Sequence, residues 1–145
     1  MNETTFRKYL RDILVRHGAA VSQVESHETS AGIPDTSVCL SGIDSWIELK
    51  FATNKTRTRK KGVVVRKSQK VWFRDRLKAG AKNLFVGVRY ETDGRTFNVI
   101  KHVSHKEELN NTNPVWWMEN GDLMWENGDD PWYVEPLLQL LRGEK

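Results

Sequence analysis

A chain of 145 residues is long enough for one domain with a sizeable hydrophobic core, without metal or disulfide staples. Its 38% apolar and 29% charged composition is that of an ordinary globular protein. The net charge of +4 conceals a split: residues 1–102 hold 20 Lys/Arg against 10 Asp/Glu, and residues 103–145 hold three against nine. No apolar run nears the roughly 20 residues that span a bilayer, and the polar N-terminus has no signal-peptide pattern. A non-membrane, cytoplasmic protein with a polyanionic partner for its basic body is therefore expected. The lone Cys39 excludes an internal disulfide, suits a reducing compartment, and among apolar neighbours is expected to be a buried thiol.

Residues 4–17 place Phe6, Leu10, Ile13 and Leu14 three or four apart. That spacing predicts an amphipathic helix, capped by Thr4 or Thr5 and stopped by Gly18. Residues 19–25 read as a first strand, weakened by Ser22 and Gln23, and a polar stretch then leads into Pro34. Strands follow at 36–40 and 45–51, joined by a Ser-Gly-Ile-Asp segment whose composition suits a hairpin turn. Alternation in the second strand puts Trp46, Glu48 and Lys50 on one face, with Ile47, Leu49 and Phe51 on a core face. A basic connection over 52–62 ends at three valines, 63–65, a candidate short strand. A helix is predicted over 67–80, with Val71, Trp72 and Leu77 as its apolar stripe and Gly80 as its stop. Strands at 83–91 and 95–102 flank Thr92-Asp93-Gly94, a strong hairpin signal.

The order helix, three strands, helix, two strands predicts an α/β domain around a mixed sheet. Beyond His102, acidic and Asn residues punctuate a segment with four of the six tryptophans, and residues 135–142 suit a short closing helix. This extension, 103–145, is expected to pack back on a core formed by residues 1–102 or against a second subunit.

Asp35, Glu48 and Lys50 are charged positions in otherwise apolar strands, and burying charge is costly unless it is paired or metal-bound. If the strands are neighbours, Asp35 can face Glu48, and two such carboxylates repel unless a cation lies between them. Mg²⁺ takes hard oxygen ligands while retaining waters, so Asp35, Glu48 and the main-chain carbonyl of Leu49 would form a partial shell. Such an ion orients and acidifies water and neutralises charge on a phosphate, with Lys50 beside it to stabilise the transition state. A surface salt bridge fits the same spacing, and spacing alone does not separate the two. Asp44 falls in the turn, where Asp is a common structural choice. His17, His27, His102 and His105 are scattered. The His102/His105 spacing would bind metal only on a helix with further ligands, and His27 is an accessory candidate near Asp35.

Gly32-Ile33-Pro34-Asp35, Glu48-Leu49-Lys50 and Gln69 in the following helix resemble, in order and spacing, the PD-(D/E)XK nuclease superfamily. The nearest likeness is to its virus-type replication-repair nuclease (VRR-NUC) branch and the Holliday junction resolvases, over roughly residues 3 to 90. The resemblance implies a restriction-endonuclease-like core and a Mg²⁺-dependent endodeoxyribonuclease, with Mn²⁺ able to substitute. Its substrate would be branched DNA, a junction or flap, in replication, recombination or repair. A small standalone domain of this kind resembles bacteriophage products, which would place it in the host cytoplasm, and such relatives often act as homodimers.

By the same likeness Asp35 and Glu48 are metal ligands, Lys50 assists the nucleophile, and Gln69 positions water or a phosphate oxygen. Glu3 best matches the family's first-helix acid and would complete the shell, with Asp12, Glu25 and Glu28 as other candidates. A nuclease-like fold that binds nucleic acid without cutting it is the alternative.

Residues 50–70 contain nine Lys/Arg and no acid, a density that repels itself unless a polyanion offsets it. Lys55, Arg57, Arg59, Lys60 and Lys61 are expected to form an arm against the phosphate backbone, continued by Arg66, Lys67 and Lys70 at the helix start. Such contacts add affinity and salt dependence but little sequence specificity. No zinc-finger spacing or P-loop is present.

Overall fold

A computed structural model of the protein describes residues 3–24, 31–54 and 60–143. The first helix, α1 (Glu3–Arg16), buries Phe6, Leu10, Ile13 and Leu14. It ends where Gly18, at φ +96°, turns the chain. There the Gly18 N–H donates to the Val15 carbonyl and the Ala19 N–H to the Leu14 carbonyl, the paired bonds of a Schellman stop. Three strands follow: β1 (Ala20–Gln23), β2 (Thr36–Leu40) and β3 (Ile43–Asn54). The β2–β3 loop is the two residues Ser41 and Gly42, both at positive φ, so the tight hairpin matches the twist of its strands.

β3 runs three residues further than the sequence pattern predicts, and β4 (Lys60–Lys61) pairs back onto its end. The three valines at 63–65 keep the alternation of a strand, with Val63 and Val65 buried and Val64 exposed. They form no ladder, because the Val63 N–H donates to the Thr112 carbonyl instead. A side chain at Gly62 would sit 2.7 Å from that same oxygen, so the crossing requires glycine. Helix α2 (Lys67–Lys78) ends in a second Schellman stop at Gly80. β5 (Leu84–Thr92) and β6 (Arg95–His102) close around Asp93 and Gly94, again both at positive φ.

The sheet is mixed, open and seven-stranded, in the order β1-β2-β3-β5-β6-β7, with β4 beside β3. Among the described residues only β3 and β5 pair in parallel. β7 (Leu123–Glu126) belongs to the acidic, Trp-rich segment, which also supplies α3 (Pro114–Asn120), α4 (Val134–Leu141) and 3₁₀ turns at Lys106–Asn110 and Pro131–Tyr133.

Both faces of the sheet are covered. On one, α1 and α4 enclose Ile47, Leu49, Phe85, Ile100 and Trp125. On the other, α2 and α3 enclose Ala52, Leu84, Val86, Val88 and Val99, with Trp117 and Phe73 as the largest helix contributions. Residues 103–143 thus supply side chains to both cores. Cys39 is half-buried, because alternation along β2 points it away from the core residues Val38 and Leu40. No helix among the described residues is long and apolar enough to cross a membrane.

Candidate active site

Glu48 and Lys50 lie on β3 at the point where its neighbour β2 stops. Thr36, the first residue of β2, pairs with Ile47, and the next strand on that side, β4, meets β3 only at Thr53. Between them β3 is paired on the β5 side alone among the described residues. Backbone groups alternate in direction along a strand. The Trp46 N–H points to the β5 side, donating to the Asn83 carbonyl. Leu49, three residues on, therefore aims its own carbonyl at the open edge, while its side chain is buried in the α1 core.

Asp35 sits at this break. Its carbonyl accepts from the Val24 N–H at 2.9 Å, and its own N–H donates to Glu48 Oε1 at 3.2 Å. Thr36 Oγ1 donates to Asp35 Oδ1 at 2.8 Å, fixing the carboxylate's rotation.

Gln69 joins the group from the third position of α2. Its Oε1 accepts from the Arg66 N–H and from Lys50 Nζ, each at 2.9 Å. Two donors at one atom require that atom to be the amide oxygen. Its Nε2 then donates to Glu48 Oε2 at 2.9 Å. One side chain thereby caps the start of α2 and fixes the two charged groups of β3.

The register between helix and loop depends on Gly32, the first residue of Gly-Ile-Pro-Asp. It lies at φ +95°, and a Cβ there would fall 2.2 Å from the Ser68 carbonyl oxygen. Close approach of the loop to the α2 backbone brings Asp35 and Gln69 to the same place.

The four residues are nearly enclosed, at 9% exposure for Asp35, 4% for Glu48, 8% for Lys50 and 2% for Gln69. Burial, followed by the repulsion of Asp35, raises the Glu48 carboxyl from 4.5 to about 7; Lys50, with Nζ 3.3 Å from Glu48 Oε2, opposes the rise. Above the group sits an open cleft of about 410 Å³, with Lys61, Arg66 and Arg7 on its rim. Arg7 reaches in from α1, with Nη2 3.7 Å from Asp35 Oδ2. A basic residue on an exposed helix turn carries no distinguishing signal in a sequence, so only the tertiary packing singles Arg7 out.

The donor set suits a hard divalent cation. Two carboxylates and an outward strand carbonyl are all oxygen, the preference of Mg²⁺ and Mn²⁺, and a cation between them would offset the burial and the Asp35 repulsion that together raise Glu48. Among the described residues no three His, Cys, Asp or Glu side chains converge. Glu3 opens α1, but its side chain lies outside the described part of the structure, as do Glu25, His27 and Glu28.

Of the expected nucleic-acid contacts, Lys61 and Arg66 line the cleft and Lys60 is exposed beside Lys61 on β4. Lys67 and Lys70 face a different depression, on the outer side of α2. Lys55, Arg57 and Arg59 lie outside the described residues. Of the other histidines, His17 Nδ1 bonds the Ile13 carbonyl, the His102 ring meets the Lys82 carbonyl and the Phe85 ring, and His105 stands at the start of the 3₁₀ turn. No protein-family model matches the chain, and no curated protein matches it.

Proposed function

We propose that the protein is a divalent-cation-dependent DNA endonuclease of the PD-(D/E)XK type, with a restriction-endonuclease-like core, that cuts branched DNA at this cleft. The observation that carries the reading is the meeting of Asp35, Glu48, Lys50 and Gln69, spread over 35 positions of sequence, in one hydrogen-bonded group beneath a basic rim. Two carboxylates and a lysine held together at the floor of a positively charged cleft suit hydrolysis of a phosphodiester better than they suit a structural ion pair. A structural pair gains nothing from an upward-shifted, buried Glu48.

Asp35 and Glu48 would hold the cation, Mg²⁺ or Mn²⁺, with the Leu49 carbonyl as a third oxygen. When bound, the cation polarises the phosphoryl oxygen and acidifies a coordinated water. Lys50 stands beside Glu48 with an amine to stabilise charge developing on the phosphate. Gln69 keeps that amine and the Glu48 carboxylate in fixed relation, and its second amide hydrogen is left to meet water or a phosphate oxygen. Arg66, Lys61 and Arg7 draw the backbone into the cleft without reading bases. The preference for junctions or flaps, and two copies acting on opposed strands, rest on the sequence resemblance.

The test is incubation with Mg²⁺ or Mn²⁺ and a panel of duplex, single-stranded, flap, splayed-arm and four-way-junction DNAs, with Asp35→Ala, Glu48→Ala and Lys50→Ala alongside. Cation-dependent cutting that all three substitutions abolish is the expected result. Binding without cutting by the intact protein would reject catalysis and assign the cleft to a non-catalytic nucleic-acid-binding role. Cutting that survives both carboxylate substitutions would reject the site.

A further inference from the structure

The outer side of α2 carries a second cationic surface, separate from the cleft. Lys67, Lys70, Arg74 and Lys78 recur at three- and four-residue intervals and so share one helix face. Opposite them Lys106 stands on the 3₁₀ turn that packs beside α2. Two adjoining depressions of about 280 and 290 Å³ run between the helix and the turn, lined by these five cations and a single acid, Glu107.

A cationic helix face is ordinarily balanced by acids, and here that balance is largely missing, although Lys67, Lys78 and Lys106 are exposed to solvent. None of Lys67, Lys70, Lys78 and Lys106 makes an ion pair among the described residues, and Arg74 pairs only with its exposed neighbour Asp75. Several acids of the C-terminal segment are engaged elsewhere: Glu108 with Lys101, Glu126 with Arg95 and Glu135 with Arg142. Lys67 and Lys70 also lie in the first turns of α2, where the first turn holds no acid and the helix dipole already disfavours positive charge. Like charges so spaced repel one another, and a polyanion would offset that repulsion.

We infer that this groove binds the phosphate backbone of a duplex arm leading away from the cleft, so that the protein grips its DNA at two places. The inference rests on the proposed DNA substrate and names a second contact on it. The dimensions agree. Lys67 to Lys78 spans about 16 Å of helix at 1.5 Å per residue, and about five phosphates of one strand pass over that length of B-form duplex. Five cations face them. The groove begins at Lys67, next in sequence to Arg66 on the cleft rim, so a backbone leaving the cleft on that side meets it directly. No side chain of the groove takes part in the cleft's hydrogen-bonded group, so the groove sets affinity and the direction of the arm.

The experiment measures binding of a labelled duplex-armed junction, by fluorescence anisotropy in EDTA, across a salt series for the intact protein and for Arg74→Gln/Lys78→Gln/Lys106→Gln. Each lost phosphate contact removes about 0.9 from the slope of log affinity against log salt. The triple variant should therefore lose about 2 to 3 from the slope and bind at least about ten-fold more weakly at physiological salt. Its cutting of a junction with arms too short to reach the groove should equal that of the intact protein. Lys106→Gln alone, at an exposed position without an ion pair, should remove about 0.9 and serves if the triple variant melts early.

An unchanged slope and affinity in both variants, with the intact protein still binding and cutting, would overturn the groove and leave the endonuclease reading standing. Failure of the intact protein to bind DNA at all would overturn both.

Discussion

Raising the pH from 4.5 through 7 should destabilise the protein through one side chain, Glu48. Burial and the nearby Asp35 hold its carboxyl at about 7 in the folded state, against 4.5 ordinarily. Between those values the folded chain keeps a proton that the unfolded chain has released, so the free energy of unfolding falls as pH rises. The contribution is fully present below 4.5 and gone above 7. Its size, from the difference between the two pKa values, is about 3 kcal/mol, a large part of the 5 to 15 kcal/mol typical of a whole domain.

Glu48→Gln removes the titration. Whichever way its amide turns, the new nitrogen faces a donor, the Asp35 N–H on one side or Lys50 and Gln69 on the other, so the variant is expected to be less stable overall, and the diagnostic quantity is the pH dependence. Urea unfolding at a series of pH values, followed by fluorescence of the buried Trp117 and Trp125, measures it. The wild-type free energy should fall relative to the variant's by about 3 kcal/mol across the window. Parallel profiles for the two proteins would refute the reasoning. At pH 8 Mg²⁺ should raise the wild-type melting temperature and leave that of Glu48→Gln nearly unmoved, since a cation stabilises the folded state only through its ligands.

Gly32→Ala should cost about 1 to 3 kcal/mol in urea unfolding, because the site combines positive φ with a backbone oxygen in the path of any Cβ; a loss below about 0.5 kcal/mol would show that the loop and α2 separate freely. Lys50→Ala should lower the rate constant for DNA cutting by about a hundred-fold or more while changing DNA affinity little, and single-turnover cleavage within ten-fold of wild type would remove Lys50 from the reaction. Tyr9→Phe should destabilise by about 1 to 2 kcal/mol, since the phenol oxygen accepts from Trp125 Nε1 and donates to Tyr133. An unchanged melting curve would mean that water replaces both bonds.

What the sequence discloses here follows the range of the forces involved. The hairpins at Ser41-Gly42 and Asp93-Gly94 are legible because local backbone sterics demand those residue types. The helices ending at Gly18 and Gly80 are legible for the same reason. Glu48 and Lys50 stand out because a charged residue in an apolar strand is conspicuous wherever the strand goes. Gln69 is different: its side chain works through tertiary neighbours, and without the resemblance it reads as one more polar helix residue.

Arg7, the Gly32 contact and the α2 groove depend on which elements meet, which no local pattern encodes. The three valines at 63–65 show the converse. Their alternation is that of a strand, yet the backbone partner of Val63 lies in a loop 49 positions on. In the Trp-rich segment the elements are three to eight residues long, too short for periodicity to separate helix from strand.

The bonds from Tyr9 to Trp125 and Tyr133 join residues 116 and 124 positions apart. During synthesis the chain emerges from its N-terminus, so Asp35, Glu48, Lys50 and Gln69 are all outside the ribosome long before Trp125, Tyr133 and α4 arrive to clamp α1 against the sheet. Arg7, one wall of the cleft, rides on that helix. A nascent chain therefore carries every charged group of the site while lacking the frame that holds one side of it in place. The Arg7 wall of the cleft can therefore set only after residues translated well behind those of its floor have docked on the sheet.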